Sequence, residues 1–281
     1  MVNRKPKTHS DILWHFTGGP LWSKRQQLQL TRKKSVASAY EAFCAILKSR
    51  ELRVGSYHEL IKLRVPVSYE YDSKKEQFIK VKNKIRTIET SKVCCVADIP
   101  NSELFYHAIR YGQMAIGFKR TSLLKHGFNP VLYAPNDKAI VQNFFNAQNM
   151  LENVEDVSAV IDDLQSDIDS VLDDCKDLDT VDFSDAVAAA NAAFEQSQEA
   201  LQDLQEAMAF VKTFDRSEFD SIYSEREWRS VNNYNFKFTD VKNIILPRKG
   251  GYYDKFLRIA KSLGIPTSVE LLAWEDIQSK N

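Results

Sequence analysis

The sequence SEREWR occupies residues 224–229 and places two carboxylates, Glu225 and Glu227, two positions apart. Residues two apart in a β-strand point to the same face, so Glu225 and Glu227 are expected on one face and Arg226 and Trp228 on the other. Neighbouring carboxylates repel unless a cation or a substrate hydroxyl relieves the repulsion. The arrangement suits a site that stabilises developing positive charge, although the spacing alone favours a charged edge strand with paired glutamates and arginines.

The composition is that of a globular protein. The chain has 281 residues, of which 43% are hydrophobic, and this allows one large domain or two small ones. We expect no membrane span, because no apolar run is long enough, and no secretory leader, because the basic N-terminus lacks an apolar segment. The four cysteines show no zinc-binding spacing and indicate reduced thiols and a cytoplasmic protein without a bound metal.

Charge is strongly segregated along the chain. Residues 151–210 contain 17 aspartates and glutamates and one basic residue, Lys176, so the rest of the chain carries a net charge of +16. A basic body attracts nucleic acid or polyanionic nucleotides. The alternative is a solvated surface whose two parts neutralise each other.

The acidic segment has the apolar spacing of two helices. Apolar residues recur at alternating steps of three and four from Val154 to Leu178, which is the spacing of a heptad seam. A second series of apolar residues runs from Val187 to Val211. We therefore expect an inserted antiparallel helical hairpin, a coiled coil, over residues 137–213. The body over residues 1–136 and 214–281 mixes predicted strands and helices, which indicates an α+β fold.

Several local patterns in the body predict its elements. Residues 11–17 predict a first strand, residues 68–92 a β-ribbon, and residues 93–97 a buried strand. Alternation within the ribbon predicts that Lys80, Lys82 and Lys84 share a face. Ser35 is the predicted cap of one helix, and Asn101 or Ser102 that of another, which should end at Gly112.

Four segments of the body together resemble the AbiGi-type abortive-infection proteins of bacterial phage defence. These are LWHFT (13–17), CVADIP with HAIRYGQMAIGFK (95–100 and 107–119), NPVLY (129–133) and YSEREWR (223–229). Val96 departs from that family, which usually has an aromatic residue there, and the acidic segment lies outside the match. The resemblance implies the antitoxin half of an abortive-infection pair, acting on a toxin or a phage protein.

A shorter set of features is similar to ADP-ribosyltransferases, including DarT-type enzymes that modify DNA. It comprises a His-x-Thr on the first strand, a glycine-bounded helix and strand, and a late Glu-x-Glu. The resemblance implies an ADP-ribosyltransferase-like body that uses NAD as substrate, with His15 and Thr17 holding its nicotinamide end. Glu227 would be the catalytic carboxylate that stabilises an oxocarbenium-like transition state, and Glu225 would orient the acceptor. Further candidates are Asp98, His107 and Tyr111 for NAD, and Arg226, Arg229, Lys80 and Lys82 for a nucleic-acid or protein acceptor.

Each of these residues also has a structural reading. His15 lies between two aromatic residues, as a histidine of the core would. His107 could pack against neighbouring side chains, and Asp98 could be a turn residue. Arg226 and Arg229 suit partners for the neighbouring glutamates.

Two classes of function therefore stay open, an NAD-dependent transferase and a catalytically inactive antitoxin or sensor that binds a partner. The acidic hairpin fits either as a nucleic-acid mimic that masks the basic body, as a docking arm, or as an oligomerisation element.

Overall fold

A computed structural model describes residues 11–23, 25, 28–55, 57–174, 184–215, 217 and 225–278 of the chain. The described strands are β1 (Ile12–Phe16), β2 (Pro20–Ser23), β3 (Leu28–Lys33), β4 (Glu51–Leu52), β5 (His58–Asp72), β6 (Gln77–Lys92), β7 (Cys94–Ala97), β8 (Ala115–Lys119), β9 (Asn129–Pro130), β10 (Leu132–Pro135), β11 (Val211–Phe214), β12 (Glu227–Ser230), β13 (Tyr234–Asn235), β14 (Val241–Leu246) and β15 (Glu270–Ala273). The described α-helices are α1 (Val36–Ser49), α2 (Leu104–Tyr111), α3 (Arg120–Lys125), α4 (Ala139–Asp174), α5 (Ser184–Met208), α6 (Tyr252–Ala260) and α7 (Trp274–Gln278). The predicted α+β class is confirmed.

Two compact units share the chain. The first comprises Met1–His58, Lys92–Tyr133 and Arg216–Asn281, and the second comprises Glu59–Ser91 and Ala134–Asp215. The sequence predicts a division of the chain at residues 136 and 214, with the ribbon β5–β6 in the body. In the structure this ribbon groups with the two long helices.

A seven-stranded mixed sheet forms the centre of the first unit. Its strand order is β15-β14-β8-β1-β7-β12-β9, in which β14 and β15 are parallel and the other described pairs are antiparallel. Trp14 lies opposite Ala97, and Ala97 lies opposite Glu227. This register brings β1, β7 and β12 side by side where the candidate site residues occur.

Alternation along the strands supplies a core on each face of this sheet. Leu13 packs in a cluster with Phe43 of α1 and Phe256 of α6, whereas the next residue, Trp14, packs in a second cluster with Leu104 of α2 and Trp274 of α7. Successive side chains of a strand point to opposite faces, so the Leu13–Trp14 pair divides the two clusters. The second cluster fixes α2 over the part of the sheet that carries His15.

The helix termini confirm one cap prediction and correct another. Ser35 caps α1, and its Oγ accepts from the backbone N–H of Ser38 at 3.1 Å. The predicted cap at Asn101 or Ser102 is wrong, because residues 101–103 form a 3-10 turn and α2 begins after it without a side-chain cap. The end of α2 is as predicted, with Gly112 at a φ of 80° that favours glycine.

The second unit is built from the ribbon, the β10–β11 pair and helices α4 and α5, which contact each other. Its core combines both types of element: Ile61, Leu63, Ile88, Val141, Phe145, Met208 and Val211. Val211, predicted in the second helix, lies in β11 instead, since α5 ends at Met208. Phe194, Leu201 and Leu204 are partly buried, whereas the seam predicted from Val154 to Leu178 lies outside the described residues and side chains.

The ribbon departs from the simple alternation expected for its lysines. Asn83 has a φ of 53°, so the backbone between Lys82 and Lys84 is not in the regular strand conformation. Lys84 forms an ion pair with Glu70 at 2.6 Å. Glu70 is next to Tyr71 in β5, so the two side chains point to opposite faces of the ribbon. The ring of Tyr71 contacts Phe78, which shares a face with Lys80 and Lys82. Lys84, the partner of Glu70, therefore does not share the face of Lys80 and Lys82.

In the described part of the chain, no helix is both long enough and apolar enough to cross a membrane.

Candidate functional site

A small cavity of about 120 Å³ lies where β1, β7 and β12 run side by side beneath α2. It brings together five of the predicted site residues, which are His15, His107, Tyr111, Glu225 and Glu227. Trp14, Phe16, Cys95, Val96 and Ala97 complete the lining. The sheet register and the packing of α2 account for this convergence of residues that are more than 200 positions apart in the chain.

Glu227 is held by a buried arginine two residues along the same strand. Arg229 is fully buried, and its Nε and Nη2 donate to the two carboxylate oxygens of Glu227 at 3.1 and 3.0 Å. The backbone N–H of Glu227 donates to the hydroxyl of Tyr133 at 2.9 Å. The bidentate pair fixes the carboxylate in one orientation and neutralises its charge.

Glu225 reaches the same cavity from outside the strand. Arg226 has a φ of 42°, which lies outside the strand conformation, and β12 begins only at Glu227, so the strand does not extend to Glu225. Glu225 is 5% exposed, forms an ion pair with Arg110 and accepts from the Tyr111 hydroxyl at 3.1 Å. Both carboxylates therefore face one cavity, as expected, but each has its own arginine.

His15 and Cys95 form the neutral part of the cavity wall. The Nδ1 of His15 lies 2.9 Å from the carbonyl oxygen of Cys95, which only accepts, so Nδ1 carries the proton of the neutral ring. Burial lowers the pKa of His15 to about 4. Burial, followed by the negative charge of Glu227, raises the pKa of the Cys95 thiol well above its usual range. Neither group carries a charge at neutral pH.

Aromatic rings of α2 close the cavity. His107 stacks on Tyr111 with ring centroids 4.4 Å apart and an interplanar angle of 22°, and it contacts Phe16 at 4.8 Å. The predicted NAD contacts His107 and Tyr111 are thus engaged with each other. Tyr111 also bonds to Glu225, which couples the stack to the carboxylates.

The remaining predicted residues do not line this cavity. Asp98 is buried, lies 2.7 Å from Arg120 and 3.5 Å from Arg226, and accepts nothing at Oδ1 within the described residues. The buried Thr17 follows β1, and its hydroxyl has no hydrogen-bond partner in the described structure. Lys80 and Lys82 belong to the second unit.

A larger cavity of about 500 Å³ adjoins the first and shares His107, Tyr111 and Glu225 with it. Arg110 and Arg226 add two guanidinium groups to its wall. Pockets for drug-sized ligands usually exceed about 300 Å³, so the small cavity alone does not hold a dinucleotide such as NAD, and the ligand would need the larger one.

Sequence reasoning missed Arg110 and Cys95. Arg110 follows His107 by three residues, and this spacing places both on one face of a helix, so the signal was present in the sequence. Cys95 gave no such signal, because it reads as one residue of a buried apolar strand and its contact with Glu227 follows from strand pairing. Among the described residues, no group of three or more His, Cys, Asp or Glu side chains is placed to bind a metal.

Arg229→Met should destabilise the fold by about 3–5 kcal/mol, because Glu227 would stay buried without its partner. Adding Glu227→Gln should recover part of this loss. The matched control is Arg248→Met, whose pair with Asp276 is exposed on both sides and should contribute less than about 1 kcal/mol. Urea unfolding measures all four proteins, and equal losses for both single variants would contradict the assignment.

His15 should make the fold less stable in acid. Its pKa is about 4 in the folded chain and 6.5 in the unfolded chain, so the unfolded state binds the extra proton as the pH falls. The stabilisation is complete above about pH 6.5, and about 3 kcal/mol is lost towards pH 4. His15→Gln should flatten the pH dependence of the free energy of unfolding over this range; an unchanged slope would show that the ring titrates normally.

Comparison with known proteins supports the resemblance found in the sequence. The family model described as "Putative abortive phage resistance protein AbiGi, antitoxin" matches residues 67–257. No curated protein and no solved structure matches the chain, so the comparisons provide no support for the likeness to DarT-type enzymes. The family match covers more than half of the sequence and spans parts of both units, and the chain therefore belongs to the AbiGi family of abortive phage resistance proteins.

Proposed function

We propose that this protein is the antitoxin of an abortive-infection pair and neutralises its toxin by direct binding. The family match carries the proposal, because the family is described as an antitoxin. The state of the two carboxylates agrees with it. Glu227 has both oxygens bonded to Arg229, and Glu225 is bonded to Arg110 and Tyr111, so the buried network stabilises the fold without any substrate.

The exposed side of α2 is the surface that we assign to toxin binding in the first unit. Phe105, Tyr106 and Ile109 are 49%, 71% and 60% exposed, although they are large apolar or aromatic residues on one short helix. Such clusters on a soluble protein mark interaction surfaces, and aromatic residues are frequent hot spots. Lys33 is exposed beside them, where its ammonium donates to the carbonyl of Ile109 at 2.7 Å, and a cation at this edge favours an acidic rim on the toxin.

Substitution on this surface should weaken toxin binding. Tyr106→Ala and Ile109→Ser should each raise the Kd for the toxin of the pair about tenfold or more and reduce the rescue of growth on co-expression. The matched control is Leu257→Ser, which removes a large apolar side chain that is 44% exposed on α6. Calorimetric titration measures the affinities. Full binding and rescue by the two α2 variants would remove this surface from the proposal.

Helices α4 and α5 provide an acidic surface for a basic region of the same toxin. Asp163, Asp167 and Asp169 are exposed on α4, and Glu195 and Glu199 are exposed on α5. We also propose that these helices pack as an antiparallel coiled coil. Deleting the segment is a poor test, because α4 and α5 supply part of the second core.

Charge neutralisation tests the acidic surface without removing core residues. Replacing Asp163, Asp167 and Asp169 by asparagine should weaken toxin binding at low salt and make the remaining affinity less sensitive to salt. Titrations at about 50 and 200 mM salt measure the effect. An unchanged salt dependence would show that the toxin does not contact these helices.

A second candidate function is ADP-ribosyl transfer from NAD, with the cytoplasm as the expected compartment. One observation favours it: His15, Glu225 and Glu227 line a single cavity that adjoins a larger one. In such a reaction the bond between nicotinamide and the ribose carbon breaks, the acceptor atom bonds to that carbon, and the acceptor releases its proton. Glu227 would stabilise the positive charge that develops on the ribose.

Labelled NAD separates the two functions. If the transferase reading holds, the protein should transfer label to DNA, RNA or lysate protein, and Glu227→Gln should lose this activity while the fold is retained. Absence of both label transfer and nicotinamide release, in the same preparation that binds the toxin, would leave the antitoxin function alone.

A further inference from the structure

The outer part of the β5–β6 ribbon carries exposed aromatic rings that have no role in the proposed toxin contact. Tyr69, Tyr71 and Phe78 are 66%, 58% and 71% exposed. The rings of Tyr71 and Phe78 lie 5.5 Å apart in an edge-on arrangement, so the two strands present them on the same face of the ribbon. Large aromatic side chains left in water on a two-stranded ribbon indicate a surface that a ligand covers.

Lysines stand on the same face as these rings. Residues of a strand alternate, so Phe78, Lys80 and Lys82 share a face, and the Tyr71–Phe78 contact joins that face to Tyr69 and Tyr71. Both lysines are exposed. The Phe78-to-Lys82 part of the face extends for about 13 Å along β6.

The carboxylates of this part of the ribbon are placed elsewhere. Glu70 lies on the other face, where Lys84 pairs with it at 2.6 Å and Ser68 donates to it. Asp72 faces the turn, where it accepts from the backbone N–H of Lys74 and lies 3.6 Å from the ammonium of Lys75. Asn83, with its φ of 53°, separates Lys84 from this face, and Lys84 pairs with Glu70. Glu76 lies in the turn that precedes β6, so the strand positions of this face, Tyr69, Tyr71, Phe78, Lys80 and Lys82, are aromatic and basic.

From this arrangement we infer that the outer face of the β5–β6 ribbon binds single-stranded nucleic acid. Unpaired bases stack on exposed aromatic rings while lysines contact the phosphates, and this combination is typical of proteins that bind single strands without sequence preference. The bases of a duplex are already stacked on one another and offer only their edges in the grooves, which polar side chains read. The activity lies beyond toxin neutralisation and uses residues other than those of α2, α4 and α5 that are assigned to the toxin.

Fluorescence anisotropy with labelled single strands of about 12 nucleotides, as DNA and as RNA, tests the inference directly. The full chain should bind both more tightly than it binds the duplex of the same length. Tyr69→Ala combined with Phe78→Ala should weaken binding about fivefold or more, because each base stacked on an aromatic ring contributes substantially. These side chains are exposed, so the unfolding transition should stay that of the parent.

The lysines have a separate and quantitative readout. Lys80→Gln with Lys82→Gln should reduce the slope of log affinity against log salt by about 1.4, the value for two phosphate contacts on a single strand. The matched control, Lys242→Gln with Lys261→Gln, removes the same charge from exposed positions of the first unit and should leave the slope unchanged.

Three outcomes would overturn the inference. One is a lack of binding to single strands at about 50 mM salt, and another is an equal effect of the ribbon variants and their control. The third is that the parent sediments as a dimer and the aromatic variant as a monomer while nucleic-acid binding is unchanged, which would identify the face as a contact between copies of this chain. Ile109→Ser should leave nucleic-acid binding unchanged. Failure of the nucleic-acid inference can therefore be distinguished from failure of the proposed toxin contact.

Discussion

The buried ion pair between Arg229 and Glu227 is the interaction on which the centre of the first unit depends. A guanidinium stays charged in any protein, and its removal from water costs several kcal/mol, so full burial of Arg229 requires a carboxylate with matching geometry. Glu227 supplies this carboxylate from two positions away on the same strand. The pair lies opposite Cys95 and Ala97 of β7, and it therefore sets the electrostatic environment of the cavity wall.

The rest of the site is arranged around the charge of this pair. The Cys95 thiol keeps its proton because it is buried and lies beside Glu227. Glu225 would add a second negative charge to the cavity, and Arg110 and Tyr111 compensate for it from α2. Each charged group in the wall thus has a partner within the protein. Such a network specifies one arrangement of the sheet and helix, and it provides a rigid support for the exposed residues of α2.

The two units carry different kinds of surface. The first presents apolar and aromatic residues of α2 beside arginines, which suits a protein partner. The second carries acidic helices and a ribbon whose outer face is aromatic and basic. The net charge of zero hides this division, because it is the sum of surfaces with opposite preferences. An antitoxin that binds both a toxin and a nucleic acid would use these surfaces independently.

The sequence by itself determined the α+β class, the two long helices, the family and five residues of the cavity. These features depend on local periodicity or on short motifs, which are properties of contiguous residues. The tertiary structure determined which side chains contact one another in the cavity. Arg110 meets Glu225 only because α2 packs on the sheet, and Cys95 meets Glu227 only because β7 pairs with β12. The left-handed backbone of Asn83 also changed which lysines share a face, since a residue outside the strand conformation disturbs the alternation that follows it.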